Sequence, residues 1–340
     1  MSFAKCLDDY GLVVNIALVL GLCWAPGQVF AGDDQSCLQG LAASADSFAF
    51  PSVRTFYVQD SNSVIDHESY AEYRESIVKV DSLAIRLAAC ANRYVAMRDS
   101  SSADAVLAAL VTLARKGPVR GEQKGFQARV SAMMYGLGFS AAYGQVRSHC
   151  RAASSCSEID AWIAADARES LDFFSRRPPN NLTYWAATQA VLAGQLASHP
   201  DLVDRGGRVI AQGWSRISEN GFESERRGAR TRFYNEYALA ALSWGTAFQG
   251  IDQLKITYKQ NSGLRSMTRK LAAGESEFNP GQGELPTQDQ TRYPAWCAPW
   301  SISGLLSCRR VTGAAEFNRI LGGSPELMLR SAWNDWATSR

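Results

Sequence analysis

The chain has 340 residues, a formal charge of +2, 46% hydrophobic residues and 20% charged residues. That length suits one large or two ordinary domains and buries enough surface to fold without staples, and the composition excludes a disordered chain. The near-neutral balance excludes a broad field for polyanions, so no nucleic acid partner is expected. Three histidines (His67, His149, His199) lie far apart without metal-ligand spacing, so neither a histidine-built metal site nor another cofactor is expected.

Residues 1–31 read as a secretory signal. Lys5 gives a positive start, Leu12 to Ala25 is mostly apolar, and Val29-Phe30-Ala31 fits a small-residue cleavage site. The alternative is an uncleaved anchor, for which the apolar run is short. Cleavage predicts a periplasmic or secreted protein with no stable membrane insertion. It would remove Lys5, Asp8, Asp9, Cys6 and Cys23, leaving a charge of +3 and six of the eight cysteines. Residues 32–66 read as an N-terminal arm, in which only Phe56 to Val58 hints at a strand.

From His67 the pattern is helical. His67 to Met97 spaces Tyr70, Tyr73, Ile77, Val80 and Leu83 by three or four residues. Ala103 to Lys116 follows, stopped by Gly117-Pro118. Phe126 to His149 is rich in small residues that let helices approach. Ser157 to Phe174 is expected to start on Ser157 as cap, with Pro178-Pro179 ending it. Leu182 to Ser198, Leu202 to Ser218, Thr231 to Phe248 and Asn261 to Ala273 continue the series. Gly274 to Tyr293 is a long polar loop suited to a lid. An apolar block, Pro294 to Leu306, and a tail at 311–340 complete the chain.

Eight or nine successive helices joined mostly by short loops predict an all-α protein. Successive antiparallel hairpins form either an open solenoid or a closed (α/α) toroid. No fixed-period repeat is present, which favours the toroid, expected over residues 67–310. An even number of cysteines in an exported chain suggests disulfides, although six allow fifteen pairings. Proximity in sequence suggests Cys150 with Cys156 and Cys297 with Cys308, leaving Cys37 for Cys90.

Two segments carry chemistry. The first is Asn180-Asn181-Leu182-Thr183-Tyr184-Trp185-Ala186-Ala187. Asparagine at a helix start is ordinarily a cap, but capping needs one and two are present. The second is Glu225 to Leu239, where Arg226, Arg227, Arg230 and Arg232 precede Tyr234 and Tyr237. If the helix extends back, Arg227, Tyr234 and Ala238 share a face. This run is either a solvated basic turn beside core aromatics or a seat for an anion.

Both segments resemble the alginate lyases of polysaccharide lyase family 5. That family reads Asn-Asn-His-Ser-Tyr-Trp-Ala-Ala, then, some fifty residues on, Arg-x-x-Arg-Ala-Leu-x-Tyr-His-Asn-Tyr-Ala-Leu. The resemblance implies an incomplete (α/α) toroid, a periplasmic location and cleavage of a uronate polymer. It implies that Asn181 and Arg227 hold the uronate carboxylate and that Tyr234 exchanges protons at the scissile linkage. The family's catalytic histidine falls on Leu182, and the histidine after its tyrosine falls on Asn235.

The implied reaction is β-elimination. The site must neutralise the carboxylate, and Asn181 donates an amide hydrogen bond where Arg227 offers a bidentate charged one. In mannuronate and glucuronate units H5 and O4 lie on one face, so one tyrosine can take the proton and return it to the leaving oxygen. Guluronate and galacturonate need a separate base, which Leu182 is not. Asn180, Tyr184, Arg230, Arg232, Tyr237 and Trp296 are further candidates for substrate contact, with Trp185, Tyr293 and Trp300 as other aromatics suited to sugar stacking or core. The sequence therefore predicts a monomeric lyase for a mannuronate- or glucuronate-containing acidic polysaccharide. The alternative is a catalytically impaired relative that binds an acidic exopolysaccharide during export.

Overall fold

The computed structural model describes residues 38, 40–50, 56, 65–122, 124–225, 231–273, 293–308, 311 and 318–334. The expected signal segment and most of the loop after Ala273 lie outside this set. A short helix, α1 (Leu41–Asp46), precedes the long α2 (His67–Met97). Asp66 caps α2 by accepting from the Ser69 N–H at 2.7 Å, satisfying one donor that the first turn leaves unpaired. Three hairpin-forming helices follow: α3 (Ser100–Lys116), α4 (Phe126–Val146) and α5 (Ala153–Phe174). Then come α6 (Asn181–Leu196), α7 (Pro200–Ser215), α8 (Thr231–Gln249), α9 (Ile251–Gln260) and α10 (Ser262–Ala273). Two later helices, α11 (Cys297–Ile302) and α12 (Pro325–Asn334), close the described chain.

Burial sorts the helices into two layers. Helices α4, α6 and α8 are buried almost all round, as inner helices must be. Helix α7 buries only one stripe: Leu202, Gly206, Ile210, Gly213 and Trp214. The inner helices run parallel. Tyr73 of α2 meets Ser131 of α4 near their starts, and Asn92 meets Gln145 near their ends. Trp185 of α6 packs against Tyr237 of α8, and Thr188 donates to the Ala241 carbonyl one turn on. The outer helices return antiparallel: Tyr143 of α4 bonds Asp160 early in α5, while Arg129 at its start pairs with Glu169 late in α5. The result is the all-α incomplete toroid of antiparallel hairpins.

Several details depart from the sequence expectation, among them helix α9, which the spacing does not predict. Helix α5 begins at Ala153, so Ser157 is not its cap; its hydroxyl donates back to the Ala153 carbonyl inside the first turn. A two-residue antiparallel hairpin, β1 (Ile217–Ser218) with β2 (Gly221–Phe222), replaces the end of the helix expected through Ser218. Phe56 is buried against Tyr70 and Tyr73, and its carbonyl accepts from the Asp66 N–H; Tyr57 and Val58 lie outside the described residues. Disulfides join Cys150 to Cys156 and Cys297 to Cys308. Cys90 is also disulfide-bonded, while Cys37 lies outside the described residues.

Residues 318–334 fill the gap between the first and last inner helices. Arg319 donates to Asp81 of α2 from Nε and Nη2, both at 2.8 Å, with both side chains buried. Tyr135 of α4 donates to the same carboxylate. Asn92 donates to the Gly322 carbonyl at 2.6 Å and accepts from the Ser324 N–H at 2.6 Å. Trp333 donates to the carbonyl of Ala247 on α8. These ties satisfy buried backbone groups of a loop that water does not reach.

Candidate active site

The parallel inner helices bring their amino-terminal ends to one rim of the toroid. Helix starts carry unpaired N–H groups and a partial positive charge, which favours an anion there. Asn180 is the N-cap of α6: its side chain accepts from the Leu182 and Thr183 N–H groups, and Thr183 completes a capping box. Capping therefore occupies Asn180 and leaves Asn181 for other work.

Asn181 is buried and turned toward Glu225, at the end of the short 3-10 turn Glu223–Glu225. Its backbone N–H donates to Glu225 Oε1 at 2.7 Å, and its Nδ2 donates to Oε2 at 2.5 Å. The carboxylate fixes which end of the amide is the donor. An asparagine amide has two N–H groups and a carbonyl, so one Nδ2–H bond to Glu225 leaves it able to bind a second acceptor. Glu225 is fully buried directly before the basic run, and the Asn181 donors account for both of its oxygens.

One turn deeper, an aromatic wall joins α6 to α8. The Trp185 and Tyr237 rings lie 5.2 Å apart, Phe233 stacks on Tyr237 at 5.7 Å, and Tyr293 meets Tyr237 edge-on at 5.0 Å. Tyr237 donates to Met134 Sδ. Tyr234 lies edge-on to Phe233 at 5.5 Å and is 6% exposed. The wall sets the first turns of α6 and α8 side by side, which brings Asn181 and Tyr234 to the same rim. Glu236 is fully buried and accepts the Tyr293 N–H at 2.6 Å, and Arg232 lies 3.5 Å from it one turn back on α8. Arg232 thus spends charge on Glu236.

The other expected residues divide. Arg227 and Arg230 lie outside the described residues. Leu182 is half-buried and packs on the core beside Asn181. Asn235 is fully buried: its Oδ1 accepts the Phe222 N–H at 2.7 Å and its Nδ2 donates to the Thr231 carbonyl. It anchors the hairpin to α8. Tyr184 is buried against Phe222, and burial pushes its phenol up to about 12. Trp296 and Trp300 are fully buried, and Trp300 donates to Ser243. His67 is exposed at the start of α2. Tyr73 is buried between Ser131 and Phe56, and burial raises its phenol to about 12.

Glu225, Phe233 and the Asp81–Arg319 pair are the residues that sequence reasoning did not single out. Glu225 had one available signal: it is the acid that opens an otherwise basic run. Among the described residues no group of three or more His, Cys, Asp or Glu is placed to hold a metal ion.

The fold is thus an all-α incomplete toroid that sets a carboxylate-oriented asparagine beside a tyrosine-rich wall. The alginate lyase family model matches residues 57–280, and the chain belongs to the alginate lyase family. A stretch of 154 residues is 26% identical to an alginate lyase of Pseudomonas fluorescens (strain SBW25), covering 42% of this chain and 41% of that protein. A stretch of 155 residues is 25% identical to an alginate lyase of Cobetia marina, with the same shares covered. The chain thus matches about two fifths of the length of these curated relatives. The fold is similar to alginate lyase A1-III in a histidine-to-alanine variant complexed with tetrasaccharide, at TM-score 0.65 and 15% identity over 88% of this chain and 91% of that one. A tyrosine-to-phenylalanine variant, also complexed with tetrasaccharide, gives TM-score 0.62 at 16% identity over 88% and 92%.

Proposed function

We propose that this chain is a polysaccharide lyase that cleaves a mannuronate- or glucuronate-containing acidic polysaccharide by β-elimination. The observation that carries the reading is the Glu225-held amide of Asn181 on the same rim as Tyr234. The second Nδ2–H of Asn181, with Arg227, neutralises the uronate carboxylate and so stabilises the charge that develops when C5 loses its proton. A well-placed donor of this kind contributes ~3–4 kcal/mol to the transition state. Tyr234 as phenolate takes the C5 proton; the C4–O bond breaks as the C4=C5 bond forms. The same tyrosine then returns that proton to the departing oxygen. One residue suffices because both atoms lie on one face of the ring in these units, and neither Leu182 nor Asn235 offers a second base. Tetrasaccharide bound to alginate lyase A1-III supports an oligomeric substrate along the rim.

The paired cysteines fit an oxidising compartment, in line with a periplasmic or secreted monomer. Among the described residues no helix is long and apolar enough to cross a membrane. A second reading, a relative that binds an acidic exopolysaccharide without cleaving it, draws on Leu182 and on Asn235, which is committed to the hairpin.

One assay separates the two. Purified protein is mixed with polymannuronate, a polyglucuronate and polyguluronate, and the ultraviolet absorbance of the new C=C bond is followed. Cleavage of either of the first two, lost by a factor of about 10²–10⁴ in Tyr234→Phe without loss of melting temperature, is the expected result. Binding without cleavage, abolished by Arg227→Ala, makes the second reading the correct one. Efficient cleavage of polyguluronate through Tyr234 contradicts the single-residue mechanism.

A further inference from the structure

The turn that leads from α5 into Asn181 carries arginines and phenylalanines that the mechanism does not use. Phe126, the first residue of α4, is 41% exposed. Among the described residues it is the only exposed phenylalanine, tyrosine or tryptophan. Phe173 and Phe174, at the end of α5, lie 6.3 and 6.1 Å from its ring. The Arg177 guanidinium stands over the Phe126 ring at 4.7 Å and over Phe173 at 5.7 Å. Arg129 covers Phe173 at 4.4 Å.

The two arginines differ in what they have left to offer. Arg129 donates to Glu169 at 2.8 Å, a carboxylate it shares with Arg120. Arg177 is exposed, and among the described residues no acid pairs with it. Stacking on the rings fixes the plane of its guanidinium and leaves the N–H donors unspent. The exposed Lys124 and Arg176 flank the pair in sequence, against the exposed Glu122 and an Asp172 already bound to Arg205. This patch adjoins the candidate active site. Thr183, in the first turn of α6, donates to the Phe174 carbonyl at 3.3 Å. Gly136 of α4 lies directly against Gln189 of α6, each about two to three turns above its own helix start, so Phe126 and Asn181 share the rim. Arg177 stands four residues before Asn181, so their Cα atoms are at most about 14 Å apart. Pro178 and Pro179 restrict the backbone between them.

We propose that Arg177, stacked on Phe126, holds the carboxylate of a second uronate unit, farther along the chain than the unit held by Asn181 and Arg227; this subsite rests on the polyuronate reading above. The guanidinium forks onto the carboxylate, a charge-assisted pairing that a neutral sugar cannot make. The exposed part of the Phe126 ring takes the apolar face of the pyranose. Lys124 and Arg176 add attraction that salt screens. One uronate unit carries one carboxylate, so only a chain of them engages both Asn181 and Arg177. The rim therefore recognises a repeat of charges and favours longer chains over fragments.

The test titrates the whole chain by calorimetry, carrying Tyr234→Phe so that ligand is not consumed. The probes are the disaccharide and tetrasaccharide of mannuronate and of glucuronate, with mannotetraose as the neutral comparison. In this parent, affinity is expected to rise from disaccharide to tetrasaccharide. Arg177→Ala is expected to flatten that rise, weaken the tetrasaccharide about tenfold and reduce the salt dependence. Phe126→Leu removes the ring under the guanidinium and should act in the same direction. Arg177→Lys should recover only part of the loss, because an ammonium neither forks nor stacks. The melting temperature of Arg177→Ala should match the parent's, since the side chain is exposed. Arg208→Ala, which removes an exposed charge midway along α7, is the control. A rise with length that survives Arg177→Ala overturns the subsite. So does an equal loss in Arg208→Ala, or mannotetraose bound as tightly as the uronate chains. With Tyr234 restored, cleavage whose KM is unchanged by Arg177→Ala sinks the subsite and leaves the lyase reading standing. Arg177-dependent binding without cleavage upholds the subsite and removes the lyase reading.

Discussion

The rim of the toroid and the clasp made by residues 318–334 use the same device to different ends. In the clasp, Asp81, Arg319, Tyr135, Asn92 and Gln145 answer one another and the backbone of the closing loop, so every bond faces inward. At the rim, Glu225 also satisfies a helix start, but its partner Asn181 keeps a second amide hydrogen that Glu225 does not take, the one the proposed mechanism gives to the uronate carboxylate. Buried polar groups thus hold shape where all partners are internal, and they position chemistry where one valence is left over.

Breaking the clasp should have the largest effect on stability. Arg319→Leu strands the buried Asp81 carboxylate and is expected to lower unfolding free energy by about 3–5 kcal/mol, read by denaturant titration. Asn92→Leu removes donors and an acceptor that serve Gln145, Gly322 and Ser324, with an expected loss of about 2–3 kcal/mol. Unfolding free energies close to wild type for both would show that the clasp is not a stability device. Glu225→Gln sharpens the contrast from the other side. A glutamine accepts from only one of the two Asn181 donors and turns an N–H toward the other. The expected result is about a tenfold loss of kcat/KM on the cleaved polyuronate, with a smaller fall in stability, about 1–2 kcal/mol. An equal loss in kcat/KM for a variant of the clasp would erase the distinction.

The remaining prediction concerns pH. Asp166 of α5 is buried, accepts from Gln189 of α6 at 2.7 Å, and lies against Gly136, where any side chain would collide with its carboxylate. Burial pushes this carboxyl up to about 7 from 3.8. The folded chain therefore holds a proton that the unfolded chain has lost between these values. Stability should fall as pH rises from about 4 to about 7 and level off above, and Asp166→Asn should flatten that slope. Thermal melts across the window check it; a slope unchanged in Asp166→Asn assigns the effect to another group.

The helices were readable in the sequence because apolar spacing of three and four persists over long, uninterrupted stretches, as in Tyr73, Ile77 and Val80. Helix α9 escaped because it is short and buries only Leu254 and Thr257. The hairpin at 217–222 escaped because two residues per strand carry no alternation. Asn181 and Tyr234 were legible through their motifs. The partner of Asn181 was not, because Glu225 stands 44 residues away and its local setting, beside four arginines, reads as ordinary charge balance. Arg319 and Asp81 are 238 residues apart, a pairing that only the closed ring brings together.

That separation has a bearing on when the molecule becomes whole. The inner helices can pair as they are made, since each of these contacts spans 53 to 58 residues. The core around Asp81, Asn92 and Gln145 waits for a segment that lies 177 to 238 residues further along the chain. Until then, these groups face water or provisional partners. Assembly of this chain is consequently a two-tempo process, with early local pairing and a late, long-range closure that decides whether a nearly finished ring becomes a finished one.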